Sequence, residues 1–199
     1  MGATRHDPRT AEDDAFDAVY DRRIRGLSMR HWTPVTVAAR AAAMLVEAGA
    51  TRILDVGSGV GKFCLVGALR TKAQFVGVEL REDLVLIARE AAKALGAPRA
   101  TFVHADVANF PFEGFDGIFL YNPFFEHVTR LRPIDETVER SRETYQRLVT
   151  TTVAKLAELS NPAAIVTFSG FGGRVPPEVF EFLGEEAAGN DWLERWVKR

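Results

Sequence analysis

Apolar residues follow two rhythms along the chain. Short β-branched or aromatic runs (RILDV from Arg52, QFVGVEL from Gln74, ATFVHA from Ala100, FDGIFLY from Phe115, AAIVTFS from Ala163) read as five strands. Between them, apolar positions recur at helical spacing. A helix is predicted from Pro34, with Thr33 as its N-cap, to a stop at Gly49. Others are predicted over 61–70, from Asp83 to Leu95 before Gly96, and from Ile134 to Ser160 before the Asn161-Pro162 break. Continuous apolar strands alternating with amphipathic helices predict a doubly wound, mostly parallel α/β sheet with helices on both faces.

The two ends are less regular. Residues 1–14 read as frayed, and 1–33 together as an N-terminal extension or lid on a domain spanning 34–199. Arg22, Arg23, Arg25 and Arg30 lie among Asp14, Asp17 and Asp21, so that region reads as a solvated helix face. Near the other end, VFEFL fits a strand or a helical turn, and DWLERWVKR fits a closing edge strand.

Composition removes several function classes. The chain has 199 residues, 47% of them hydrophobic, enough for one sizeable core. It holds no 18-residue apolar run, so no membrane partner is expected. The polar, acidic N-terminus does not resemble a signal peptide. A single cysteine, Cys64, rules out an internal disulfide and fits a reducing cytoplasm. Its position in an apolar stretch reads as a buried thiol rather than a nucleophile. His6, His31, His104 and His127 are scattered singly, so no metal site is expected. A net charge of −2 gives no global basic field and leaves a nucleic-acid partner unsupported. Nothing in the sequence fixes the oligomeric state.

The chemistry is concentrated after the first strand. Gly57, Gly59 and Gly61 occupy alternate positions at its carboxyl end and open a helix, where backbone N–H groups face a ligand. A phosphate-cradling loop fails on spacing: the Gly61-Lys62 pair comes one residue early, and Phe63 stands where a hydroxyl is needed. A dinucleotide loop is weakened because Lys62 occupies the third-glycine position. The remaining pattern is GxGxG with an acid, Asp55, two residues before it.

Glu79 ends the second strand, where a carboxylate can accept both hydroxyls of a ribose. Asp106 follows the third and could reach an adenine amino group. Three acids at neighbouring strand tips would repel a pyrophosphate but suit a cationic nucleoside such as S-adenosylmethionine. Blander readings stand beside these: a tight turn for the glycines, a solvated strand end for Glu79, and a helix cap or turn for Asp106.

Residues 51–125, with DVGSGVG, GVEL and HAD, resemble class I S-adenosylmethionine-dependent methyltransferases. The GSGVGKF spelling with GVE is also similar to the cofactor site of Dot1-like lysine methyltransferases. The resemblance implies a seven-stranded sheet whose last strand is antiparallel. It implies that Gly57 and Gly59 pack on the methionine part of the cofactor, that Glu79 holds the ribose, and that Asp106 with the Val107 amide holds the adenine. Asp55, Ser58, Gly61, Leu80 and Asn122 complete the expected cofactor set.

Asn122-Pro123-Phe124-Phe125, after the fourth strand, resembles the (D/N)PP(Y/F) loop of methyltransferases acting on nitrogen, with Phe124 replacing the second proline. Asn122, Pro123 and Phe125 are therefore the catalytic candidates. Asparagine and proline oxygens would accept hydrogens from the target nitrogen, and the ring would stack on a planar acceptor. A small molecule or a protein side chain is the expected acceptor. A turn with two core-capping phenylalanines is the alternative. His127 reads as a rim histidine, and Trp32 in HWTP as either lid or packing. A catalytically silent nucleoside-binding module, or more remotely a nicotinamide oxidoreductase, would share the glycine loop.

Overall fold

The computed structural model describes residues 10–26, 32–129, 134, 137–138, 140–189 and 191–199. In chain order the elements are α1 (Ala11–Asp17), α2 (Arg22–Arg25), α3 (Val35–Glu47), β1 (Arg52–Val56), α4 (Lys62–Arg70), β2 (Gln74–Glu79) and α5 (Glu82–Leu95). They continue with β3 (Ala100–His104), β4 (Gly117–Tyr121), a 3-10 turn (Phe125–His127), α6 (Arg142–Ala157), β5 (Ala164–Phe168), β6 (Phe180–Ala188) and β7 (Asp191–Lys198). The strands form one seven-stranded sheet in the order β3-β2-β1-β4-β5-β7-β6. β1 to β5 are parallel, and β7 pairs antiparallel with both β5 and β6.

Alternation along the inner strands splits the core in two. Ile53, Phe119 and Val166 face α3, α4 and α5, whose alanines and leucines cover that side. Leu54, Ile118 and Ile165 face the opposite side, covered by Leu148 and Leu156 of α6 and by Phe112 and Phe115. Burial on both faces explains why these strands are continuous apolar runs. The strand order reverses at β1 and β4, so their carboxyl ends diverge and leave a crevice.

Several local expectations are corrected. Residues 11–14 are helical: Thr10 and Asp13 form a capping box that starts α1. Asp17 is not part of a solvated face. It is fully buried, and with Asp13 it meets the Lys62 ammonium, each at 2.8 Å. Thr33 does not cap α3. Pro34 takes the cap position without a side-chain bond, and the Val35 amide donates instead to Asp13, at 2.9 Å. The α6 helix begins at Arg142, where Ser141 accepts from the Thr144 amide, and not at Ile134. The tail strand β7 is interior, and β6 forms the edge. Leu193 decides this: it is fully buried between β5 and α3, whereas most of β6 is exposed. Arg30, His31 and His6 lie outside the described residues.

Candidate functional site

The crevice above β1, β2 and β4 is a cleft whose wall carries most of the residues that the sequence singles out. Gly57, Gly59, Glu79, Leu80, Asp106, Val107, Asn122, Pro123 and Phe125 all line it. Asp55, Ser58 and Gly61 do not. Asp55 points under the glycine loop, where the Cys64 thiol donates to it at 3.5 Å. The Ser58 side chain packs where a Cβ on Gly77 would sit. Gly61 has φ +82°, and a Cβ there would come within 2.4 Å of the Phe102 ring. Its role is the left-handed entry to α4 beneath the loop.

The loop is held from below and from the side. Gly57 and Ser58 amides donate to the Val78 carbonyl, and the Tyr20 hydroxyl donates to the Val60 carbonyl at 3.1 Å. Gly57 is also a close-approach glycine, because a Cβ would lie 3.0 Å from Pro123 Cβ. The cofactor loop and the loop after β4 therefore touch at the reversal point. At Gly59 a Cβ would meet nothing, so there is open space beside its backbone, whose amide is bonded to Glu79.

Glu79 is 7% exposed, and its two oxygens accept from the Gly59 and Arg81 amides, both at 3.0 Å. Burial raises its pKa above the ordinary carboxylate value, and those amides oppose the rise. A carboxylate has about four acceptor sites, so it can still take ribose hydroxyls. The cleft thus offers bare glycine backbone beside an oriented acid, which fits a cationic nucleoside. Asp106 accepts from the Ala108 amide at 2.8 Å, so its turn role coexists with a place on the cleft wall.

Asn122 has φ +43°, an uncommon conformation that asparagine tolerates better than most residues. Its amide donates to Gly170 at 2.8 Å, and its carbonyl accepts from the Phe125 amide at 3.2 Å. Phe124 is buried, packing into the core while lining the cleft floor between Pro123 and Phe125. Its packing in the core cluster gives an apolar ring a place at the position where the resembled loop has proline.

Arg81 and Glu126 also line the cleft, bonded to each other at 2.7 Å. Sequence reasoning missed the pair. Arg81 precedes the acidic first turn of α5 and looks like a surface cation. Trp32 lines the same cleft and packs on Tyr20, ring centroids 4.7 Å apart.

Asp55 gives the site a pH dependence. Burial first, then repulsion from Glu79, raises its pKa to about 7, against the thiol hydrogen bond. The folded state holds this proton more tightly than the unfolded chain. The group therefore costs nothing below about pH 4, destabilises increasingly from there to about pH 7, and costs a constant amount above. Asp55→Asn should stabilise the protein at pH 8, by at most about 4 kcal/mol, with the gain shrinking toward pH 4. Denaturant titrations across that range check this; a gain independent of pH would contradict it.

The sheet order and the cleft at its reversal point are those of the class I, Rossmann-like fold of S-adenosylmethionine-dependent methyltransferases. Residues 53–144 match the family model of a methyltransferase domain. Over 103 residues the chain is 32% identical to a tRNA1(Val) (adenine(37)-N6)-methyltransferase from Shewanella sp. strain MR-4, covering 49% of this chain and 44% of that protein. The chain thus spans less than half the length of the curated relatives it matches. Among solved structures, an RNA methyltransferase from Salinibacter ruber in complex with S-adenosyl-L-homocysteine superposes with a TM-score of 0.60 at 22% identity, covering 84% of this chain and 93% of that one. TrmN from Thermus thermophilus superposes with a TM-score of 0.59 at 21% identity, over 89% of this chain and 53% of that one. Among the described residues no helix is long and apolar enough to cross a membrane.

Proposed function

We propose that this chain transfers a methyl group to an exocyclic nitrogen of a nucleobase, with an adenine in RNA as the acceptor. The observation that carries the reading is Asn122, fixed in its left-handed conformation on the cleft wall, with Pro123 packed on Gly57. When bound, S-adenosylmethionine supplies an electrophilic sulfonium methyl. Glu79 and Asp106 hold the nucleoside end, and the glycine loop receives the amino-acid end, with open space beside Gly59 and Pro123 closing over Gly57. The Asn122 side-chain oxygen and the Pro123 carbonyl accept hydrogens from the target nitrogen, which aims its lone pair. Phe125 stacks on the planar base. Transfer to nitrogen depends on alignment more than on acid–base help, so the loop requires no His–Asp dyad.

The RNA-methylating relatives favour a nucleobase over the small molecule or protein side chain expected from sequence. With a net charge of −2, RNA contacts would be local to the cleft rim rather than spread over the surface. Trp32, packed on Tyr20, closes one side of the cleft, and the single buried thiol suits the cytoplasm.

The test is transfer of labelled methyl from S-adenosylmethionine into unmodified tRNA transcripts and cell extract, with calorimetric cofactor binding on the same protein. Label in RNA, removed by ribonuclease, is expected. Glu79→Ala should weaken cofactor binding about tenfold or more, the scale of one lost charged hydrogen bond. Label in protein would overturn the acceptor assignment. Binding without transfer to any fraction would instead identify a silent cofactor-binding module.

A further inference from the structure

Polar contacts run without interruption across the cleft, from the glycine loop to the segment leading into α6. The Gly59 amide donates to Glu79, and the Arg81 amide donates to the other oxygen of the same carboxylate. The Arg81 guanidinium lies 3.9 Å from Glu79 and donates to Glu126 at 2.7 Å. The second Glu126 oxygen accepts from the Ile134 amide, at 2.7 Å. Arg81 and Glu126 side chains are only 7% and 17% exposed. Water therefore screens the pair weakly, and each partner would be costly to leave alone.

The sheet does not make this connection. β2 and β4 are separated by β1, so no ladder bond joins the ribose-side strand end to the turn after β4. We propose that Arg81 and Glu126 are positioning residues that set the Asn122–Phe125 loop relative to the ribose carboxylate. Cofactor seated at Glu79 and acceptor seated at Asn122 are thereby held in one register. The inference rests on the preceding reading of the cleft. A guanidinium is suited to the task because its rigid fork can face two carboxylates, which a lysine ammonium does less well.

Arg81→Lys and Glu126→Gln are mild variants that keep size and polarity. Each should lower kcat about tenfold, with cofactor Kd changed less than about threefold, because the Glu79 amide bonds remain. Their combination should be no slower than either alone, as expected for residues acting as one unit. Hydrogen exchange supplies a readout besides activity. Amides of Phe125, His127 and Thr129, all bonded within the turn, should exchange faster in Glu126→Gln, while β4 and β5 amides stay as in the parent. Parent-like kcat and parent-like exchange in the turn would overturn the proposal, and so would additive losses in the double variant. Failure of the parent to bind S-adenosylmethionine would count against the cofactor reading itself, which is a separate outcome.

Discussion

Asn122→Gly should slow methyl transfer by about ten- to a thousandfold, the range expected when an aligning contact is lost. Affinity for S-adenosylmethionine should stay close to the parent value, because the proposed cofactor contacts lie mainly on the loop after β1, the end of β2 and the turn after β3. Glycine is the informative replacement. It reaches the +43° φ of Asn122 without strain, whereas alanine there would add about 1–3 kcal/mol of backbone cost and confuse lost chemistry with a displaced loop. Asn122→Asp, which keeps both the conformation and an acceptor oxygen, should retain more activity than the glycine variant. Labelled transfer and calorimetry on the same samples decide the matter. A glycine variant working at the parent rate would reduce the loop to a turn.

Lys62→Met should destabilise the fold by about 3–5 kcal/mol, which at this chain length lowers the melting temperature by roughly 6–20 °C. The ammonium is 3% exposed and bridges two carboxylates that are themselves buried. Removing it takes away the ammonium that both buried carboxylates share. Adding Asp13→Asn and Asp17→Asn to the same chain should recover part of the loss. Calorimetric melting of the two variants checks both statements; an unchanged transition in Lys62→Met would refute the account.

The same cluster fixes an acid limit. Burial alone would raise the Asp13 pKa, but hydrogen bonds from Lys62, Val35 and Thr10, with the lysine charge, lower it to about 2. A depressed carboxylate stabilises above its unfolded value, so this contribution is complete above about pH 4 and disappears as the pH falls toward 2.

The parallel strands and the glycine loop were legible because their signals are local: an apolar run, an acid, then glycines that open a helix. The places of Glu79 at the end of β2 and Asp106 after β3 also followed once the strands were in order. The partners of Lys62 were not legible. Asp13 lies 49 residues earlier, in an acidic run whose composition is that of a solvated face. Thr33 before Pro34 has the right chemistry for a cap, but a carboxylate from another helix reached the Val35 amide instead. Arg81 and Glu126 gave no signal either, since a charge pair 45 residues apart has no periodicity. Asp55 was read as a ligand residue from its spacing, yet the alternation of β1 turns it toward Cys64. For β6 and β7, either strand of a hairpin can sit inboard, and only burial of Leu193 distinguishes them.

That inboard strand makes the edge of the sheet depend on it. β6 precedes β7 in the chain but touches the sheet only through it. Without β7 the flank of β5 would be a bare strand edge, open to pairing with another chain. β7 therefore works as a wedge: it seats β6 and covers the flank of β5.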